Sequence, residues 1–239
     1  MSHLLKTTTS KINNKPIDLI LTITSKNTKT GDMPQLWIAE HATSGSASIK
    51  NKTDDTVCGD CAFRGDKSKG VPRLCYVNPM AVNAATKAPK IEPVPEHPRT
   101  PIRLGAWGDP GAVPVEDLLE VVHTHGGRGK KTHTAYSQRW RHEPNSGHAA
   151  LCMASVHTPA QALLAQKLGW RTFRVTNEDA LMPNEVWCPA TAEGGSKTDC
   201  RTCCLCDGTS NGKTVNVAVK VHGRAGHERA YEKVLEEAE

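Results

Sequence analysis

Short apolar runs alternate with polar, turn-rich stretches along the chain. Ile17 to Thr24 (IDLILTIT) is the first clear strand pattern; a turn-like SKNTKTGD follows, and 35–40 (QLWIAE) predicts the next strand. Ala42 to Gly70 is mostly Ser, Thr, Lys, Asp and Gly and predicts a long loop, a feature uncommon unless it has a function. Five prolines between 86 and 101 make that segment an extended connector.

Beyond the prolines the rhythm changes. Ile102 to Trp107 predicts a strand that ends at the turn Gly108-Asp109-Pro110. Val115 to His123 carries Val115, Leu118, Leu119 and Val122 at helical spacing, with Gly126-Gly127 as the stop. Further strands are predicted over 131–136 (KTHTAY), 149–156 (AALCMASV), 171–176 (RTFRVT), 185–189 (EVWCP) and 215–222 (VNVAVKVH). Thr158 as N-cap, Pro159 as first residue and Gly169 as stop bracket a helix PAQALLAQKL, and a charged helix is predicted over 228–239. Strand, helix, strand at short spacing implies parallel βαβ units. The expected class is α/β: a partial (β/α)6-type barrel or an open parallel sheet with long cysteine-bearing loops. We read 1–239 as a single domain. Within it, 1–33 is an N-terminal strand extension, 42–101 a cysteine- and proline-rich insertion, and 186–214 a C-terminal cysteine loop.

Composition narrows the classes. At 239 residues the chain can bury a core without disulfides, and 23% charged residues argue against wholesale disorder. No apolar run reaches the roughly 20 residues of a membrane span, and the polar first fourteen residues lack a signal-peptide core, so a cytoplasmic location without a membrane partner is expected. The net charge of +5 is a weak pointer to nucleic acid, because metal-bound thiolates would offset part of it.

The nine cysteines change the picture most. An odd number in a reducing compartment argues against a disulfide framework, and clustered thiols then read as metal ligands. Cys188 precedes CRTCCLC (200–206), so four thiols fall within seven residues and must share one tight loop. Sulfur ligands select iron–sulfur clusters or zinc. Cys188, Cys200, Cys203 and Cys206 are the expected ligands; Cys204 is left out, because adjacent thiols rarely turn both sulfurs inward. Cys58, Cys61 and Cys75 form a second group one ligand short of a tetrahedral site. His41, Cys152 or a C-terminal cysteine could complete it, or the position could stay open as catalytic metals keep it. A plainer reading has all the cysteines in one zinc-stapled lobe that orders the 42–70 loop.

In a parallel sheet, the first cysteine group, Gly108-Asp109, Gln138-Arg139-Trp140, His157 and Asn177-Glu178 all follow strands and share the carboxyl edge, where α/β folds build sites. Gly108, Asp109 and Gln138 are the cofactor-binding candidates. By composition alone, GDP is also an ordinary turn capped by its Asp. Arg139 and Arg141 read equally well as surface charges.

The pieces CGDC (58–61), CY (75–76), LGAWGDP (104–110), TAYSQRW (134–140), MASV (153–156), GWRTFRV (169–175), CPA (188–190) and CRTCCLCDG (200–208) resemble the pattern of a group of phage-encoded cysteine-rich proteins over roughly 34–223. That resemblance implies the host-cell cytoplasm. More distantly, the layout is similar to radical S-adenosylmethionine enzymes. This implies a [4Fe-4S] cluster on Cys58, Cys61 and Cys75, S-adenosylmethionine held near Asp109, and a second, auxiliary cluster on the C-terminal cysteines. The spacing here is C-x2-C-x13-C rather than the family's compact C-x3-C-x2-C, and GDP replaces Gly-Gly-Glu.

Two functional readings follow. In the first, one or two [4Fe-4S] clusters serve a radical S-adenosylmethionine-type enzyme whose small-molecule or macromolecular substrate the sequence does not name. In the second, iron–sulfur or zinc staples a non-catalytic module that binds nucleic acid or a host protein through Lys130, Lys131, Arg139, Arg141, Lys220 and Arg224. An electron-transfer protein alone would leave Asp109 and Gln138 without a task.

Overall fold

The computed structural model describes residues 2–25, 27–87, 89, 91–222 and 227–236. Among these described residues, ten strands form two five-stranded sheets. The first runs, in spatial order, β1 (Ser2–Thr9), β2 (Pro16–Thr22), β3 (Gln35–Glu40), β4 (Ile102–Trp107) and β5 (His133–Thr134). Its β1–β2 and β2–β3 pairs are antiparallel; β3–β4 and β4–β5 are parallel. The second sheet contains β6 (Tyr136–Ser137), β7 (Met153–Val156), β8 (Thr172–Thr176), β9 (Glu185–Trp187) and β10 (Asn216–Lys220). Its order is β6-β7-β8-β10-β9 and all its pairs are parallel. The fold is therefore mixed α/β with two sheets rich in parallel pairs.

The strand expected over 131–136 is two short pieces, β5 and β6, parted by Ala135. The Ala135 N–H donates to the Cys206 carbonyl at 2.9 Å, and its carbonyl accepts from Met153 N at 2.9 Å. The C-terminal cysteine loop thus takes a place in the hydrogen-bond ladder, which no local pattern in KTHTAY encodes.

The expected loop over 42–70 is partly helical. Helices α1 (Gly45–Asn51) and α2 (Asp55–Cys58) lie within it, and α3 (Pro79–Thr86) follows. Ser44 caps α1 by accepting from Ala47 N, and Asn78 caps α3 by accepting from Met80 N. Val57 and Val82 bury their side chains in the core formed with Leu36, Ile38 and Trp107, which offsets the poor helix propensity of the Ser- and Thr-rich segment. Strand β1 also goes beyond the sequence reading. Its Thr-rich half is an exposed edge, held by pairing with β2 and by the Thr7 hydroxyl donating to Asp18 at 2.6 Å.

The later helices match their signals. In α4 (Val115–His125), Leu118 and Val121 are buried, acidic Glu116 and Asp117 open the helix, and His123 and His125 close it. In α5 (Pro159–Lys167), the Thr158 side chain accepts from Gln161 N, and Gly169 at φ +84° terminates the turn. A one-turn helix α6 (Cys200–Cys203) carries the cysteine cluster, and α7 (His227–Glu236) buries Tyr231 and Val234 against Phe63, Val175, Val219 and Val221. Residues 237–239 of the expected last helix, and Arg224, lie outside the described residues. Among the described residues no helix is long and apolar enough to cross a membrane.

Candidate functional site

Because β3, β4 and β5 are parallel, as are β6, β7, β8 and β10, the segments that follow them share one edge. That edge is laced together. Asp109, 7% exposed, accepts from Gly111 N at 2.7 Å, Ser137 Oγ at 2.7 Å and Gln138 N at 2.6 Å, while its own N–H donates to Val57 O at 2.7 Å. One carboxylate therefore ties the ends of β4 and β6 together, and its N–H ties both to the α2 segment that bears Cys58. Burial holds the Asp109 carboxyl above its ordinary value, and the three donors oppose only part of that rise. Gly108 sits at φ +75°, where an added Cβ would stand 2.4 Å from Ile38 O, so the close approach of β3 and β4 needs glycine here.

Gln138 donates from its amide to Ser155 Oγ at 2.8 Å and meets His157 Nε2 at 3.0 Å. His157 Nδ1 lies 3.1 Å from the Tyr231 hydroxyl, which itself donates to Val175 O at 2.6 Å. Nδ1 must therefore carry the proton and Nε2 must accept. A half-turn of the Gln138 amide satisfies this, with Ser155 then donating to Oε1. The neutral ring agrees with its burial, which lowers its pKa to about 4, with the Arg141 charge adding to the effect. The folded ring takes up fewer protons than the unfolded one between about pH 6.5 and 4, so its contribution is complete above 6.5 and is lost as pH falls through that window. The loss amounts to about 3 kcal/mol. We expect the urea-unfolding free energy of His157→Gln to fall less steeply over that window than the wild type's. Equal slopes would refute the assignment. The buried His133 and His148, also lowered by burial, keep a residual slope of the same sign.

The first cysteine group lies over this edge. Cys58, Cys61 and Cys75 are half-buried and close enough for the charge of one to raise the others. Burial, then Cys75 and Asp109, pushes Cys61 up to about 12. Phe63, two residues on, stands edge-to-face on His157 at 4.9 Å, and Tyr76 stacks on His222 at 4.8 Å. Two groups that sequence reasoning missed hold this loop. Buried Asp54 accepts from Arg64 Nε at 2.8 Å and Arg73 Nη1 at 2.7 Å, and Asp60, inside the C-x2-C, pairs with Arg139 at 3.1 Å and His142 at 3.2 Å. Of the candidates for a fourth ligand, His41 pairs with Asp18 at 2.9 Å and Cys152 is fully buried in the main apolar core.

The C-terminal thiols come together at a different place. Cys188, Cys200, Cys203 and Cys206 line one narrow recess of about 20 Å³ with Thr134, Tyr136 and Val217. Burial raises Cys188, Cys200 and Cys206, Cys200 to about 11, and their mutual charges add to this; the Tyr136 hydroxyl hydrogen-bonds the Cys206 sulfur. Cys204 also borders the recess, but it occupies the left-handed position that ends α6, and its thiol donates to Arg201 O at 3.7 Å. After burial, the charges of Lys213, Asp207 and Lys131 act on it more than that of Cys203. Among the described residues, no three His, Cys, Asp or Glu side chains already stand in a geometry that holds a metal ion.

The basic residues are dispersed. Lys131 donates to Thr202 O, Arg139 is 8% exposed, Lys220 pairs with Asp179 at 2.7 Å, and Arg141 lies 4.7 Å over the Trp140 ring. An open recess of about 670 Å³ at the ends of β8 and β10 is lined by Asn177, Glu193, Lys220, His222, Glu228 and Glu232 among others. No family model, curated protein or solved structure matches the chain.

Proposed function

We propose that the chain is an iron–sulfur protein whose cluster is held by Cys58, Cys61 and Cys75, and that it works as a radical S-adenosylmethionine-type enzyme. The carrying observation is the three-thiol group itself, set beside Asp109 at the carboxyl edge of parallel strands, while His41 pairs with Asp18 and Cys152 is buried in the main apolar core. Structural zinc is closed by four ligands, whereas three thiols leave an exchangeable position. On this reading β3, β4, β5–β6, β7, β8 and β10 act as the staves of a partial (β/α)6 barrel. S-adenosylmethionine at the open iron would supply one-electron cleavage chemistry for hydrogen abstraction. The chain's own residues do the positioning. Asp109 fixes the Gly108 turn and the Gln138 backbone, the Gln138 amide and neutral His157 present a polar wall, and Asp54 with Arg64 and Arg73 holds the cysteine loop in register.

The C-terminal group suits zinc as a second reading, because four thiols lining one recess match the closed four-ligand set of structural zinc. A metal-stapled module for nucleic acid or a host protein is the non-catalytic rival. The pairing of Lys131, Arg139 and Lys220 within the fold weighs against it. Metal and sulfide content of anaerobically purified protein tests the proposal. About 8 irons per chain means two clusters, and about 4 irons with one zinc means a mixed pair. S-adenosylmethionine should then change the electron-paramagnetic signal of the reduced protein. Zinc without sulfide would overturn the iron–sulfur reading, and a salt-sensitive shift of nucleic acid would favour the rival.

A further inference from the structure

Arg103 is a half-buried charge set between two core residues of β4. In β4, Ile102 and Leu104 face the main core, so Arg103 between them faces the opposite side. Its register partner on β5 is Thr134, which lines the four-thiol recess, and partners in a parallel ladder share a face. On its other side, Gln35 of β3 spends its amide on Thr30 Oγ1 and Met33 O. The Arg103 Nε is buried without a hydrogen-bond partner, and among the described residues no carboxylate pairs with the guanidinium. Its positive charge does reach Cys200 and Tyr136, the residue that bonds the Cys206 sulfur. A buried guanidinium N–H left without an acceptor is costly unless an anion close by answers its charge.

We infer that Arg103 is the counter-cation of an anionic metal–thiolate centre at Cys188, Cys200, Cys203 and Cys206, and that it raises the affinity of that centre for its metal. The inference rests on the reading of these four thiols as ligands. Four thiolates around one divalent ion leave a net charge of −2, and in an apolar recess that charge lacks water to stabilise it. The Arg103 guanidinium supplies the compensation across the β4–β5 ladder, making it a positioning residue for the centre and not a ligand.

The test is an anaerobic titration of the full-length chain with cobalt(II), whose visible spectrum reports tetrahedral thiolate ligation. The binding phase lost in Cys206→Ser identifies the C-terminal centre. Arg103→Gln should weaken that phase about tenfold with an unchanged spectral shape, and Arg103→Lys should restore most of the affinity because the charge is kept. Equal affinity in Arg103→Gln, or equal loss in Arg103→Gln and Arg103→Lys, overturns the inference. A wild-type chain that shows no thiolate–cobalt spectrum instead overturns the metal reading on which it stands.

Discussion

On the proposed ligand set, anaerobically prepared Cys206→Ala is expected to lose the metal assigned to the C-terminal thiols entirely, while Cys204→Ala keeps the full wild-type complement. The two residues are separated only by Leu205 and both buried, so size and burial do not separate them. Direction does. Cys206 follows the turn that hands its carbonyl to Ala135, and its sulfur meets Tyr136 and the charges of Cys188, Cys200 and Cys203. Cys204 is turned by its left-handed backbone toward Arg201 O and Lys213. Removing one of four ligands opens the coordination shell, and structural thiolate sites do not tolerate that. Metal analysis of the two purified variants checks the expectation. Equal losses, or a loss confined to Cys204→Ala, would overturn the ligand set.

Glu185→Ala is expected to destabilise the fold by about 3–5 kcal/mol, the usual consequence of stripping one partner from a buried ion pair. Arg174 on β8 is fully buried, and Glu185 on β9 is 8% exposed. The pair is bidentate, with Arg174 Nε to Oε1 at 3.0 Å and Nη2 to Oε2 at 2.7 Å; Thr176, Glu178 and the Ala180 carbonyl take the remaining guanidinium contacts. Glu185 Oε2 also accepts from Met182 N at 2.9 Å, so the carboxylate shapes the turn into β9. Without it the cation stays buried with only half-exposed Glu178 as its counter-charge. Chemical denaturation of the variant reads the loss directly. A change below about 1 kcal/mol would show that water reaches Arg174 and replaces the carboxylate, since exposed pairs are worth no more than that.

Much of the architecture is legible in the chain because its signals are local. The spacing in VEDLLEVV, the Thr158-Pro159 start and Gly169 stop, and the apolar runs of β2 and β4 each depend on neighbours a few residues away. The closeness of Cys200, Cys203 and Cys206 was also readable, since a seven-residue loop keeps its thiols together, and the fold brings Cys188 to the same recess. The missed features are tertiary. Helix α1 is written in GSASIKN, which reads as loop until Ser44 caps it and α3 covers it. The break at Ala135 depends on a residue 71 positions later. Asp109 looked like a cofactor contact or a turn cap, and in the fold its carboxylate is engaged by three internal donors. Arg103 did leave a trace, a charge set between two buried aliphatics in IRLGAW, but only the β4–β5 register gives it a neighbour.

The position of β10 has a consequence for how the protein is made. It follows β9 in the chain, yet it lies inside the second sheet between β8 and β9, and among the described residues β9 pairs with no other strand. A nascent chain on the ribosome therefore carries β8 with a bare edge and β9 with nothing to pair to until residues 216–220 emerge. Until then the second sheet is an open template, and its closure waits on β10.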